Sequence, residues 1–138
     1  MTNKFKKALS SIICVFTLSS GVTGIIANAT YGDFSFKINR SSYKYSSEQT
    51  KDTIHSTSDF AAVYPTYGLA ASCPIGVGVV NSGNKAVRAN TLWFNSLDGK
   101  HLPYINTSST PSPGGGTKLC LKGTAGYYYT ELDGQWEC

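Results

Sequence analysis

The 138 residues carry 12 basic and eight acidic side chains, a formal charge of +4, with 41% hydrophobic and 12% aromatic residues. Three lysines and no acid fall in the first 29 residues, so the remaining 109 hold nine basic and eight acidic groups, close to neutral. That balance excludes a field strong enough for nucleic acid or an anionic membrane surface, and the length suits one domain with a modest core.

Lys4, Lys6 and Lys7 form a short basic start, and no charged residue follows until after Ala29. Ile12, Ile13, Val15 and Phe16 centre an apolar run, and Ala27-Asn28-Ala29 offers small residues where a signal peptidase reads. The expectation is a secretory signal over residues 1–29, cleaved after Ala29, with membrane contact only during export. Ser10, Ser11, Thr17, Ser19, Ser20 and Thr23 dilute the run below what a spanning helix of roughly 20 apolar residues needs. Cys14 reads as filler of the run, since bulky Ile13 precedes it. Residues 30–138 are then a single secreted domain.

Residues 33–40, DFSFKINR, alternate strictly, with Phe34, Phe36 and Ile38 on one face and Ser35, Lys37 and Asn39 on the other. This is the pattern of a half-buried strand. YKYS, residues 43–46, continues it or pairs with it. Residues 46–59 are polar and read as a loop with room for a short helix. FAAVYPTYG, residues 60–68, is a strand that Pro65 ends or confines to an edge.

Residues 72–80, SCPIGVGVV, form a strand whose Gly76 and Gly78 leave one face bare; either a neighbour packs closely there or the strand bends. NSGN turns the chain into KAVRANTLWF, residues 85–94, giving a hairpin over 72–94. Asp98-Gly99 signals a second hairpin toward KHLPYI. SSTPSPGGG, residues 108–116, is a surface loop. GTKLCLKG and GYYYTEL follow as strands, and Asp133-Gly134 turns into a last strand, QWEC. Six to eight short strands and no helical periodicity predict an all-β fold, a small antiparallel sandwich.

Beyond the signal stand Cys73, Cys120 and Cys138. In a secreted chain they predict one disulfide and one free thiol, with three pairings open. Strand parity puts Cys73 with Ile75, Val77 and Val79, and Cys138 with Trp136, while Cys120 shares a face with Lys118 and Lys122. A Cys73–Cys138 bridge with Cys120 as a solvent-facing free thiol follows, with Cys120–Cys138 nearly as well supported. No C-x-x-C occurs, and His55 and His101 stand alone, so neither a metal nor a cofactor is expected.

The FSFKI strand, the Ser/Thr/Tyr-rich middle and the ending built on Leu119, Leu121, Tyr127, Gly134 and Trp136 resemble a family of small secreted proteins of Gram-positive bacteria. That family is itself similar to the lactococcin-type β-sandwich bacteriocins. The resemblance is carried at the other end by Phe34, Phe36 and Ile38. It implies a β-sandwich, an extracellular location and no catalytic residues.

His55 lies among polar residues and His101 just after a turn, so neither sits in a triad-like neighbourhood. Asp33, Asp52, Asp59, Asp98 and Asp133 lie mostly beside Gly, Ser or Thr and read as turn residues. GGGTK, residues 114–118, lacks the spacing of a phosphate loop. The expected function is binding without catalysis, with a cell-envelope component or a protein receptor as partner. An extracellular wall- or polysaccharide-acting enzyme and a structural or adhesive surface protein are the alternatives. The candidate surface is aromatic: alternation splits Tyr127 and Tyr129 from Tyr128, and Trp93, Tyr104 and Trp136 would extend the patch.

Overall fold

The computed structural model describes residues 31–51 and 60–138. The expected signal segment, His55, Asp52 and Asp59 lie outside the described residues. Among the described residues nine strands form two antiparallel sheets that face each other as a small β-sandwich: β1 (Gly32–Ile38), β2 (Tyr43–Tyr45), β3 (Gln49–Thr50), β4 (Phe60–Gly68), β5 (Ile75–Asn81), β6 (Val87–Phe94), β7 (Lys100–Pro103), β8 (Lys118–Ala125) and β9 (Thr130–Glu137). One sheet runs β1-β9-β4-β7, and the other runs β2-β8-β5-β6 with β3 also on β8. We call them the first and second sheet.

The alternation of β1 becomes burial: Phe34, Phe36 and Ile38 are inside and Asp33, Ser35 and Lys37 outside. These rings meet Leu132 and Trp136 of β9, Ile75, Val77 and Val79 of β5, and Leu119 and Leu121 of β8 in one core. Burial of such side chains contributes about 1.5–3 kcal/mol each relative to exposure, before chain entropy is set against it. Gly123 on β8 makes room for Phe36; a Cβ there would lie 2.7 Å from two ring carbons.

Several boundaries depart from the sequence expectations. YKY pairs with β8, not with β1, and the two-residue β3 follows it on the same strand. Pro65 lies inside β4, but β7 covers only Phe60–Val63. The side of β4 that Pro65 cannot serve as donor is therefore open, and the register shifts just after it. Residues 75–94 form the expected hairpin. Asp98-Gly99 does not make a second one, because β7 crosses to the first sheet and pairs with β4. Just after β7 the chain returns to β6, where Tyr104 bridges Ala89 and the Ile105 N–H donates to the Arg88 carbonyl at 2.7 Å.

Asp133-Gly134 is not a turn either. β9 runs straight through it from Thr130 to Glu137. The glycine serves close approach: a Cβ would lie 2.3 Å from the Tyr64 carbonyl oxygen. Asp33 and Asp133, expected in turns, are outward strand residues. Asp133 accepts a hydrogen bond from Ser35 Oγ at 2.8 Å, and Asp33 from Gln135 Nε2 at 3.1 Å. Asp98 does cap a turn, accepting from Ser96 Oγ at 2.8 Å.

The expected disulfide is not formed among the described cysteines, while Cys120 is the free thiol expected of it. Cys73, Cys120 and Cys138 are all free thiols. Thr130 Oγ1 donates to the Cys73 carbonyl, while Cys138 lies eight residues further along the chain, about 26 Å at strand rise. A bridge needs Cα atoms within about 7 Å. Cys120 faces outward from the second sheet, whereas Cys138 packs on the core, so that sheet separates them. Cys120 is not solvent-facing either: its residue is 2% exposed, covered by Lys85, whose Nζ donates to Sγ at 3.7 Å. Alkylation of the unreduced 30–138 chain in denaturant should therefore add three groups by intact mass; addition of one would restore the bridge.

Burial pushes the Cys138 thiol up from 9.0 to about 11, with the nearby Lys51 ammonium working against the shift. Burial also raises Tyr104 well above the usual phenol range. A raised folded-state value favours the protonated form in the fold, so this contribution is intact below pH 9.0 and is lost as pH climbs to about 11. Unfolding midpoints should fall over that window, and Cys138→Ala should flatten the fall. An unchanged slope in that variant would refute the assignment.

Candidate functional site

The outward face of the second sheet is built from consecutive cross-strand rows. In one row Trp93 of β6 stands opposite Gly76 of β5, Gly76 opposite Thr124 of β8, and Thr124 opposite Tyr43 of β2. In the next, Gly78 stands opposite Lys122, and Lys122 opposite Tyr45. Period-2 geometry sends all these side chains to one side. The two glycines of GVGV thus form the floor between aromatic residues on the flanking strands.

The bare face predicted for Gly76 and Gly78 is covered by the neighbouring strand. A Cβ on Gly76 would lie 2.7 Å from Thr91 Cγ2 and 3.5 Å from two indole carbons of Trp93. The indole therefore lies over the Gly76 backbone, and its far edge reaches toward Gly126. Trp93 remains 50% exposed. At the other side of the floor Tyr43 and Tyr45 meet edge to face, with ring centroids 5.5 Å apart, and are 56% and 37% exposed.

Two ammonium groups sit on these rings. Lys122 Nζ lies 4.7 Å above the Tyr43 ring and Lys85 Nζ 4.7 Å above the Tyr45 ring, the geometry of cation–π attraction. Lys85 is delivered by the tight connection after β5. Asn81 Oδ1 accepts from the backbone N–H groups of Gly83 and Asn84. Lys85 itself takes a left-handed φ of 58°, and its Nζ also donates to the Ser82 carbonyl at 2.6 Å. At the margin Lys118 pairs with Glu48 at 2.9 Å. The Ser82 hydroxyl and then Lys118 hold the Glu48 carboxyl below its ordinary value.

The outward face of the first sheet is its electrostatic opposite. Asp33, Glu131, Asp133 and Glu137 project from it, against Lys37. Among the described residues their side-chain hydrogen-bond donors are neutral: Tyr64 Oη donates to Glu137 at 3.0 Å, and Tyr129 Oη donates to Glu131. Burial first, then Glu137, raises the Tyr64 phenol, and Glu131 raises that of Tyr129. His101 lies on this side too, stacked on Phe60 with ring centroids 4.2 Å apart.

Of the residues expected to bind, Trp93 belongs to the second-sheet face. Tyr127, 76% exposed, follows Gly126, over which the indole reaches. Tyr127, Tyr128 and Tyr129 lie in the loop joining β8 to β9, and not on a strand, so the alternation argument does not apply to them. Tyr129 turns toward the acidic side through its bond to Glu131. Tyr104 and Trp136 are corrections: they are 6% and 0% exposed and belong to the core, because parity sends both inward. The sequence reading missed Tyr43, Tyr45, Lys85 and Lys122. Their signal was present in the alternation of YKY and of KLCLKG; what was lacking was the pairing of β2 with β8.

Two facing antiparallel sheets with one aromatic, cationic outer face define the class of molecule: a small β-sandwich with an open sheet surface. Comparison with family models, characterised proteins and solved structures finds no match for the chain.

Proposed function

We propose that this chain is an exported, non-enzymatic β-sandwich that acts by binding, and that the outward face of the second sheet is its binding surface. The observation that carries the reading is the alignment of Trp93, Tyr43 and Tyr45 across a glycine floor, each ring more than a third exposed. Rigid aromatic surface held ready by a sheet loses little freedom on binding, which is why such rings dominate recognition surfaces. The resemblance noted in the sequence favours a bacteriocin-like role, or one accessory to a bacteriocin system, with a component of the Gram-positive cell envelope as the target.

The test is sedimentation of the purified 30–138 chain with isolated Gram-positive cell walls. The wild type should deplete from the supernatant, and Trp93→Ala combined with Tyr43→Ala should weaken this about tenfold or more. Tyr64→Ala, on the opposite face, should bind as wild type. Equal sedimentation of all three proteins, or release of soluble reducing sugar or free amine from the walls, would overturn the reading in favour of another surface or of an enzyme.

A further inference from the structure

Resting on that binding face, we infer that its ligand is a saccharide chain bearing anionic groups, carboxylate or phosphate. The row from Trp93 to Tyr43 crosses four strands, so at ~4.8 Å per strand it is about 14 Å long, the scale of roughly three sugar rings. Its surface is an indole lying over backbone at one end and a tyrosine pair at the other. The apolar C–H faces of pyranose rings stack on such planes, while the hydroxyls of Thr91 and Thr124 stand beside them to meet sugar hydroxyls. Gly76 and Gly78, with no side chains of their own, let Thr91 and the indole lie down on the sheet, so that these side chains form the surface the ligand meets.

The charge on the ligand follows from the lysines. Lys122 and Lys85 are held 4.7 Å above the tyrosine rings, at the edge of the stacking surface. Neither is in an ion pair with a described carboxylate; the ion pair at this margin is Lys118–Glu48. Lys85 already donates to the Ser82 carbonyl and to Cys120 Sγ, so Lys122 on the Tyr43 ring is the ammonium placed to donate to a ligand anion, with Lys85 adding charge beside it; charge-assisted hydrogen bonds are about twice as strong as neutral ones. The opposite face, with Asp33, Glu131, Asp133 and Glu137, repels the same ligand. The difference in sign between the two faces favours a bound anionic group on the second sheet, as a local preference and not through the near-zero net charge.

Affinity electrophoresis of the 30–138 chain tests this, in gels cast with polygalacturonate, poly(glycerol phosphate) teichoic acid, neutral dextran or polyglutamate. Retardation is expected with polygalacturonate or the teichoic acid, the two arms separating carboxylate from phosphate, at an affinity at least tenfold above dextran. Lys85→Gln with Lys122→Gln should erase that preference, and the arginine pair should retain it. Trp93→Ala should remove retardation in every gel while the chain still unfolds in one cooperative transition, which shows that it remains folded. Dextran binding as strong as polyanion binding, indifferent to the lysine pair, overturns the charge assignment and leaves the binding face standing. Polyglutamate binding as strong as the anionic saccharides overturns the saccharide. No retardation in any gel overturns the ligand class, and the binding face falls with it only if cell-wall sedimentation is also indifferent to Trp93.

Discussion

Truncating Phe36 to alanine should lower folding stability by about 3–5 kcal/mol, measured by urea unfolding. The ring is fully buried, packs beside Phe34 with centroids 5.2 Å apart, and lies against Gly123 of the opposite sheet. It is thus a contact between the two layers. Gly123→Ala should itself cost about 1–3 kcal/mol, because its methyl would meet the Phe36 ring at 2.7 Å. The two effects should not add: with the ring gone, the new methyl enters the space it vacated. A double variant whose loss equals the sum of the singles would show that the ring and the glycine are not in contact.

Gly134→Ala should be as damaging as the loss of a core ring, at about 3 kcal/mol or more. Its Cβ would stand 2.3 Å from the Tyr64 carbonyl oxygen, 2.8 Å from Pro65 Cα and 3.0 Å from Phe34 Cζ. Two of these neighbours are backbone, so relief requires β4 and β9 to separate. Gly114→Ala is the control, since nothing lies within 4 Å of a Cβ there. Equal urea midpoints for the two variants would mean that Asp133-Gly134 is a turn after all and that β9 is wrongly placed.

The strands with a clean period of two were legible. β1 declared itself by Phe34, Phe36 and Ile38, and β4 was bounded correctly by composition at Phe60 and Gly68. Partnership was less legible, because alternation says which face is buried and nothing about which strand lies alongside. Asp-Gly was the costliest signal. It marks a tight hairpin when both flanking strands return on each other, but at Gly134 the missing Cβ admits a neighbouring backbone and the chain goes straight on. The cysteine parity failed for a related reason. The face that Cys120 shares with Lys118 and Lys122 does point outward, yet Lys85 from the β5–β6 connection folds over it. Half the candidate surface was legible in Trp93; the rest depended on β2 lying on β8, which no local pattern announces.

The pairing of β1 with β9 alone bears on how the chain is made. Partners such as Ser35 and Asp133, 98 positions apart, cannot meet on a ribosome until the residues between them have been translated. β4 can pair with β7 earlier but gains its second neighbour only from β9. The β1–β9–β4 part of the first sheet is therefore withheld from a nascent polypeptide, and closing so large a loop is slow. A nascent chain thus leaves the inward side chains of β1, Phe34, Phe36 and Ile38, without their partner strand until β9 arrives to complete the sheet.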